Sequence, residues 1–384
     1  MKALIHVQHL LGIGHAVRAA AIGRALRDCH VDVTLASGNH LPGVIDTDGL
    51  EVVTLPAARA ADVTFKTLLD DDGQPIDETW KEERKRQLLA LYDIVEPDIL
   101  LTEFFPLGRR KFRFELIPLL EKAHARAHRP VIASAVRDIL VAKGDAAVER
   151  WMADTALHYY DRLLVHGDPD IVSLGETFRY ADDLKALISY TGYVHGGAQA
   201  PEPPAGEGKG EIIVACGGGV VGETLLRAAL GAAGSDREHR WRILAGRDLP
   251  GPVFDEFSAE ARAGDTSLIL QHARPDFPAL LKRARLVIAQ AGYNTVMDIL
   301  AAGISGVLVP FAQGRESEQT IRAEALVRQG RVVMAAEAGL TAECLAGAVR
   351  DALCLPHRWP PAALDGAAKS ADILIVLAIK RERR

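Results

Sequence analysis

The chain has 384 residues, too many for one ordinary hydrophobic core, and a norm of about 150 residues per domain predicts two domains. Hydrophobic residues make up 48% of it and charged residues 25%, which excludes a disordered polymer, and no apolar run is long enough to span a bilayer. A net charge of -6 argues against a general nucleic-acid binder, and four cysteines without CxxC spacing (Cys29, Cys216, Cys344, Cys354) point to a reduced compartment and no structural zinc.

The chain opens with Met1-Lys2-Ala3 and then the apolar stretch LIHV, with no long h-region or small-residue cleavage site. A mature cytoplasmic start is the expectation. MKALIHVQHLLGIGHAVRAAAIGRALRDCHVDVTLAS reads as strand, glycine turn, Ala-rich helix and second strand. Its turn, Gly12-Ile13-Gly14-His15, falls where a strand ends and a helix begins, a place for backbone amides to meet an anion. The spacing is not GxGxxG and no acidic residue clearly ends the next strand, so no nicotinamide cofactor, and no other cofactor, is expected.

Further strands are expected at Leu50 to Leu55, Ile99 to Thr102, Val131 to Ala135 and Leu163 to Val165, with helices over Glu78 to Val95, Phe114 to Ala127 and Val148 to Tyr160. Glu103 follows one strand end. The segment after it, Phe104 to Phe114, mixes aromatics with Arg109, Arg110, Lys111 and Arg113. One reading is a solvated loop leading into an amphipathic helix. The other is an acceptor-side or anionic-membrane contact through Arg109, Arg110 and Lys111, because guanidiniums grip phosphates in two places and aromatics lie against sugars or lipid.

From Gly192 to Gly210 glycine and proline dominate and periodicity vanishes, which marks a linker. A second α/β series follows: strand Glu211 to Cys216, glycine run Gly217 to Gly222, helix Glu223 to Ala233, strands Trp241 to Ala245 and Ser267 to Gln271, and helix Phe277 to Arg283. It continues as strand Leu286 to Ala289, a turn at Gly292, helix Thr295 to Ala302, strand Gly306 to Pro310 and helix Glu318 to Arg328. A helix from Leu364 to Lys380 ends in a cationic tail, for which fraying is the plainer account. The expected domains are 1–195, a linker at 196–210, 211–360 and a terminal segment 361–384. Both halves begin with strand, glycine loop and helix, so the expected fold class is α/β with two facing Rossmann-like domains and a cleft between them.

Three places carry chemistry. Gly217 to Gly222 lets backbone N–H groups approach a diphosphate at the following helix, although a glycine-rich turn is also a tight connection; no P-loop lysine follows. Asp298, close to a helix start, suits the two hydroxyls of a ribose, or merely a favourable position near a helix N-terminus. Glu318 and Gln319 combine acceptors with a donor for sugar hydroxyls, or cap a helix together with Ser317. His15, beside a positive helix end, suits a neutral base, although a lone histidine is more often structural.

Gly12-x-Gly14-His15-x-x-Arg18, the Gly217-Gly218-Gly219 loop, and Ala291-Gly292-Tyr293-Asn294-Thr295-Val296-Met297-Asp298 with Glu318-Gln319 together resemble the GT-B glycosyltransferases of family 28. The FPLGRRKFRFEL segment looks like a group of little-characterised glycosyltransferases in that superfamily. The resemblance implies GT-B architecture and transfer of a sugar from a nucleotide-diphosphate donor, UDP-linked by analogy, to an acceptor hydroxyl without a metal. It implies donor contacts from Gly14, Gly217, Gly218, Gly219, Gly292, Asn294, Thr295, Asp298, Arg315, Glu318 and Gln319, with His15 or Glu103 as base. The acceptor is then a lipid-linked or small glycoside, with peripheral membrane contact in the first case. Asp298 stands where the family pattern has Glu, and Gly219-Val220 stands where it has Ser. Hydrolysis of the nucleotide sugar, or a non-catalytic nucleotide-sugar-binding subunit, are the rival readings.

Overall fold

The computed structural model describes residues 1–10, 13–61, 66–140, 144–194, 201–216, 222–246, 249–263, 268–311 and 318–383. They form two compact units, Met1–Gly197 with Leu364–Arg384, and Ala198–Ala363. The expected linker at 196–210 and separate segment 361–384 are divided differently: one cut falls at Gly197/Ala198, and the last helix joins the first unit.

The first unit runs β1 (Lys2–Val7), α1 (Gly14–Asp28), β2 (Asp32–Ser37), β3 (Glu51–Thr54), a two-residue hairpin β4 (Arg59–Ala60) and β5 (Leu68–Leu69), α2 (Glu78–Val95), β6 (Ile99–Glu103), α3 (Arg113–Ala125), β7 (Val131–Arg137), α4 (Ala146–Tyr159), β8 (Arg162–His166) and β9 (Ile188–Tyr190). Its seven-stranded sheet has the order β3-β2-β1-β6-β7-β8-β9. All neighbours are parallel, with Leu4 opposite Thr34 on one side and Leu100 on the other. The strands are continuous apolar runs because both faces are covered. Leu4, Leu100 and Ile132 point into a core with α2 and α3, through Leu88, Tyr92, Leu116 and Leu120. Ala3, Ile5, Leu101 and Ala133 point the other way, onto Ala16, Ala20 and Ile22 of α1. Each fully buried Leu or Ile contributes about 1.5–3 kcal/mol.

The second unit runs β10 (Ile212–Ala215), α5 (Glu223–Ser235), β11 (Trp241–Ala245), α6 (Gly251–Ala263), β12 (Leu268–His272), α7 (Phe277–Arg283), β13 (Leu286–Ala289), α8 (Tyr293–Ala302), β14 (Gly306–Leu308), α9 (Glu318–Arg328), β15 (Val332–Met334) and α10 (Ala342–Leu353). Its six parallel strands are ordered β12-β11-β10-β13-β14-β15. Numbered within the unit this is 3-2-1-4-5-6, the Rossmann order, and the first unit, once its hairpin is set aside, has the same order extended by a seventh strand, β9. Each sheet therefore reverses direction once, between β1 and β6 and between β10 and β13.

The chain then returns through α11 (Gly366–Glu382) to the first unit. Ala371, Leu374 and Ala378 complete the core on the α1 side of the sheet. The end of α11 is anchored rather than frayed, since Arg381 Nη2 donates to Asp161 Oδ1 at 2.7 Å and Nη1 donates to Asp161 Oδ2 at 3.0 Å. The outgoing and returning chain are joined: Gly366 N donates to Tyr193 O at 3.1 Å, and Val194 bridges Asp365.

Candidate active site

In open parallel sheets ligands gather at the carboxyl ends of the strands where the order reverses. In the first unit that place is occupied by His15, in the first turn of α1 after β1, and by Glu103, the last residue of β6. The side chains meet: His15 Nδ1 lies 2.6 Å from Glu103 Oε2 and 2.8 Å from Oε1. An ionised carboxylate only accepts, so Nδ1 carries the hydrogen and Nε2 presents its lone pair. Nε2 makes no hydrogen bond to the described residues, and the His15 side chain is 13% exposed. Arg18, one turn along α1, donates from Nη2 to Glu103 Oε1 at 2.8 Å and lies 3.1 Å from His15 Nδ1, so both donors converge on one carboxylate.

Burial lowers the His15 imidazole to about 4, with Arg109 and Arg18 pushing the same way against the pull of Glu103. Burial works to raise the Glu103 carboxyl, but His15, Arg18 and Arg109 outweigh it and hold Glu103 well below the usual carboxylate range. With the imidazole neutral, it is the two guanidiniums that keep Glu103 ionised. Glu103 is only 2% exposed, which corrects its expected service as an alternative base: it stands behind His15.

The Phe104 to Phe114 segment divides. Phe104, Phe105, Leu107 and Phe112 are buried in the first unit's core, so the aromatics expected on a membrane or sugar plug the crossover from β6 to α3 instead. Phe104 adopts a left-handed backbone (φ 69), and its ring sits 5.2 Å from that of His15. A β-carbon at Gly108 would lie 2.2 Å from Phe104 Cδ1, which is why glycine occupies that turn. Arg109, Arg110 and Lys111 do not act as one patch. Arg109 turns inward and donates from Nε to Gln8 O at 2.7 Å, and burial lowers it to about 10. Arg110 and Lys111 are exposed, with Lys111 Nζ donating to Lys66 O.

Gln8 belongs to a polar hub that the sequence reading missed. Arg84, wholly buried on α2, donates to Gln8 Oε1 at 2.6 Å, Gly38 O at 3.1 Å, Pro56 O at 2.8 Å and both oxygens of Glu115 at 2.7 and 2.9 Å. One guanidinium thereby ties together the loops leaving β1, β2 and β3. Of this hub, only the helix that carries Arg84, Glu78 to Val95, was read from the sequence.

In the second unit the equivalent reversal places β10 beside β13. Gly217, Gly218 and Gly219 lie outside the described residues, as do Gly12 and Arg315. Gly222 starts the helix after them under tight constraint, since a β-carbon there would be 2.2 Å from Cys216 O. Gly14 and Gly292 have room around them. Gly292 is the N-cap of α8, with no side-chain cap bond; Asn294 is exposed in the first turn, Thr295 is half-buried beside it, and Asp298 is half-buried in the second turn.

Of Glu318 and Gln319, only Glu318 is linked to this turn, through Arg322. Gln319 Oε1 accepts from Phe311 N at 3.0 Å, so the amide's Nε2 is its remaining donor end. Glu318, expected on the donor sugar, is 8% exposed and accepts from Arg322 Nη2 at 2.9 Å. Arg322 in turn reaches Ala291 O at 3.4 Å and lies 5.3 Å from the Tyr293 ring. A carboxylate four residues before a buried guanidinium on one helix face is the signal that would have found this link. Among the described residues no group of three or more His, Cys, Asp or Glu side chains is placed to hold a metal, and no helix is long and apolar enough to cross a membrane.

The architecture of two Rossmann-order parallel sheets with a returning C-terminal helix defines the GT-B class. The calicheamicin glycosyltransferase CalG4 shares it with a TM-score of 0.61 at 14% identity, over 99% of this chain and 96% of that one. MurG of Acinetobacter baumannii does so at 0.61 and 13% identity, over 100% and 95%. At such identities the likeness is one of fold. Residues 252–372 match the glycosyltransferase family 28 C-terminal domain.

Its relatives include the UDP-N-acetylglucosamine--N-acetylmuramyl-(pentapeptide) pyrophosphoryl-undecaprenol N-acetylglucosamine transferase of an Exiguobacterium species. That protein is 34% identical over 143 residues, 37% of this chain and 39% of the relative. The protein of the same name from Burkholderia mallei is 30% identical over 165 residues, 40% of this chain and 44% of the relative. The chain spans less than half the length of these curated relatives.

Proposed function

We propose that the protein transfers a sugar from a nucleotide diphosphate, UDP by analogy with its relatives, to an acceptor hydroxyl, and that it does so without a metal. The observation that carries the reading from fold to reaction is the His15–Glu103 pair, with Nδ1 bound to the carboxylate and Nε2 open, at the reversal point of the first sheet. His15 Nε2 takes the proton of the acceptor hydroxyl as its oxygen bonds to the anomeric carbon. The bond from that carbon to the diphosphate breaks, and the nucleotide diphosphate leaves with both electrons.

In the second unit Asp298 accepts from the ribose hydroxyls and Gln319 Nε2 donates to the sugar, while Glu318 holds Arg322 and through it the turn at Ala291. The amides starting α8 face the departing charge in the way a metal would, together with Gly217 to Gly219 as read from sequence. A lipid-linked or small glycosidic acceptor, cytoplasmic placement and peripheral membrane contact through Arg110 and Lys111 complete the proposal.

The test is turnover of a panel of nucleotide-diphosphate sugars by the full chain, with candidate acceptors and with chelator. Glycoside formation undiminished by chelator supports the proposal. Sugar release carrying label from heavy-oxygen water, with no acceptor product, would identify a hydrolase, which the same histidine would serve by deprotonating water. Tight nucleotide binding with no turnover of any donor would identify a binding subunit and overturn the reading.

A further inference from the structure

Arg18 closes the sequence motif that begins at Gly12, and the reaction as described leaves it without a task. It is 4% exposed, so its charge is held away from water at considerable cost, and its Nη2 sits 2.8 Å from Glu103 Oε1. His15 and Arg18 are three apart on α1 and therefore share a face, so that both reach the same carboxylate at the end of β6.

A carboxylate alone would orient an imidazole and also stabilise its protonated form, leaving an oriented group already carrying the proton it should accept. A cation on the far oxygen of that carboxylate removes the second effect and keeps the first. Resting on the reading of His15 as base, we propose that Arg18 is its positioning residue: it anchors Glu103 as acceptor for Nδ1–H and offsets the carboxylate's charge, so that His15 is held in place and remains neutral.

The other groups around His15 are consistent with this division. Arg109, on the loop between β6 and α3, adds a second cation, but its own bond runs to Gln8 O rather than to Glu103. Arg137, ending β7, lies over the Phe104 ring at 5.2 Å, on the residue that also packs on His15. His166, ending β8, is lowered to about 3 by burial and then by Arg18, and His9 is lowered by burial, so neither brings charge at neutral pH. α11 contributes Ala371, Leu374 and Ala378 to the core beside α1. Among the described residues, Arg18 is the one side chain besides His15 itself that bonds to the Glu103 carboxylate.

The experiment follows the ring-proton titration of His15 by NMR in the full chain, assigned by its loss in H15A, together with kcat/KM across pH. Replacing a cation at this distance by a neutral side chain should move the His15 midpoint in R18Q upward by about 1–3 pH units, and the acid limb of kcat/KM should move with it. At a pH above both midpoints R18Q should still lose up to about 100-fold in kcat with little change in donor KM, because the imidazole is no longer fixed. R18K keeps the charge without the fork, so its midpoint should stay near that of the wild type while its kcat falls. Should R18Q fail to fold, R18K decides: a midpoint raised as though the charge were gone, or a kcat equal to that of the wild type, would overturn the proposal. An unmoved or lowered midpoint in folded R18Q would do the same. If H15A retains normal turnover, the base assignment fails instead, and the titration still reports on Arg18.

Discussion

A carboxylate bound to one nitrogen of an imidazole leaves the other nitrogen's lone pair to accept a proton, and the 2.6 Å contact between Glu103 and His15 Nδ1 identifies that nitrogen as Nε2, the atom on which the proposed base role rests. H15A should lower kcat/KM by about 10²–10⁴-fold, the usual contribution of a positioned general base, with an unchanged melting temperature; steady-state kinetics and calorimetry check both halves. Because burial lowers His15 to about 4 in the folded protein, kcat/KM should stay level from neutral pH downward and drop only as the pH approaches that value. The sign for stability follows from proton counting. Between the ordinary histidine value and about 4 the unfolded chain binds the proton and the folded chain does not, so His15's contribution rises with pH across that window and is lost as the pH falls through it. H15A cannot take up that proton, so urea titrations of wild type and H15A should agree at neutral pH and separate toward the acid end of the window, the wild type becoming the less stable. On the donor side, E318A takes the carboxylate from the buried Arg322 and should destabilise the protein by about 3–5 kcal/mol, whereas D298A should raise donor KM and leave the melting temperature alone. Of these residues, the places of His15 and Glu103 were legible in sequence because one begins a helix and the other stands at a strand end, whereas Asp298 lies a turn into its helix and its role remains an expectation. The Glu103 partnership was not legible, since 88 positions separate it from His15 and only the sheet order brings β1 and β6 side by side.

Elements were easiest to read where one pattern had no competitor. Glu78–Val95, Trp241–Ala245, Phe277–Arg283, Leu286–Ala289 and Glu318–Arg328 have the bounds that periodicity predicts. The three-residue strands β9 and β15 were missed because so short a run carries no period, and α6 and α10 because mixed small and charged residues blur the apolar stripe. The segment after β6 was misread for a different reason. Aromatics among cations look the same in a string whether they cover a core or meet a membrane, and burial of Phe105 and Phe112 at 0% exposure settles which. The last helix shows the same limit in reverse. Its cationic end suggested fraying, yet Arg381 clamps it to Asp161 and Leu374 fills the core. L374A should therefore cost about 2–5 kcal/mol in a chemical-denaturation measurement of the first unit, far more than an exposed position on the same helix.

At the scale of the whole molecule, the duplicated strand–glycine-loop–helix opening was enough to foresee two Rossmann-order sheets. What the string could not convey was that the first unit is discontinuous. With separate cores, the units should give two calorimetric transitions, and a bound nucleotide diphosphate should raise the one belonging to Ala198–Ala363 by mass action and leave the other in place. A single transition, or a shift of the first unit alone, would count against donor binding in the second. The bond between Gly366 and Tyr193 has a further consequence for how the protein is made. Residues 198–363 are contiguous and leave the ribosome together, whereas the α1 side of the first sheet waits for α11 with its apolar surface uncovered. The unit that begins the chain is thus the last to be finished. A nascent chain arrested at residue 363 should be cut by protease within its first 197 residues while its newest stretch resists.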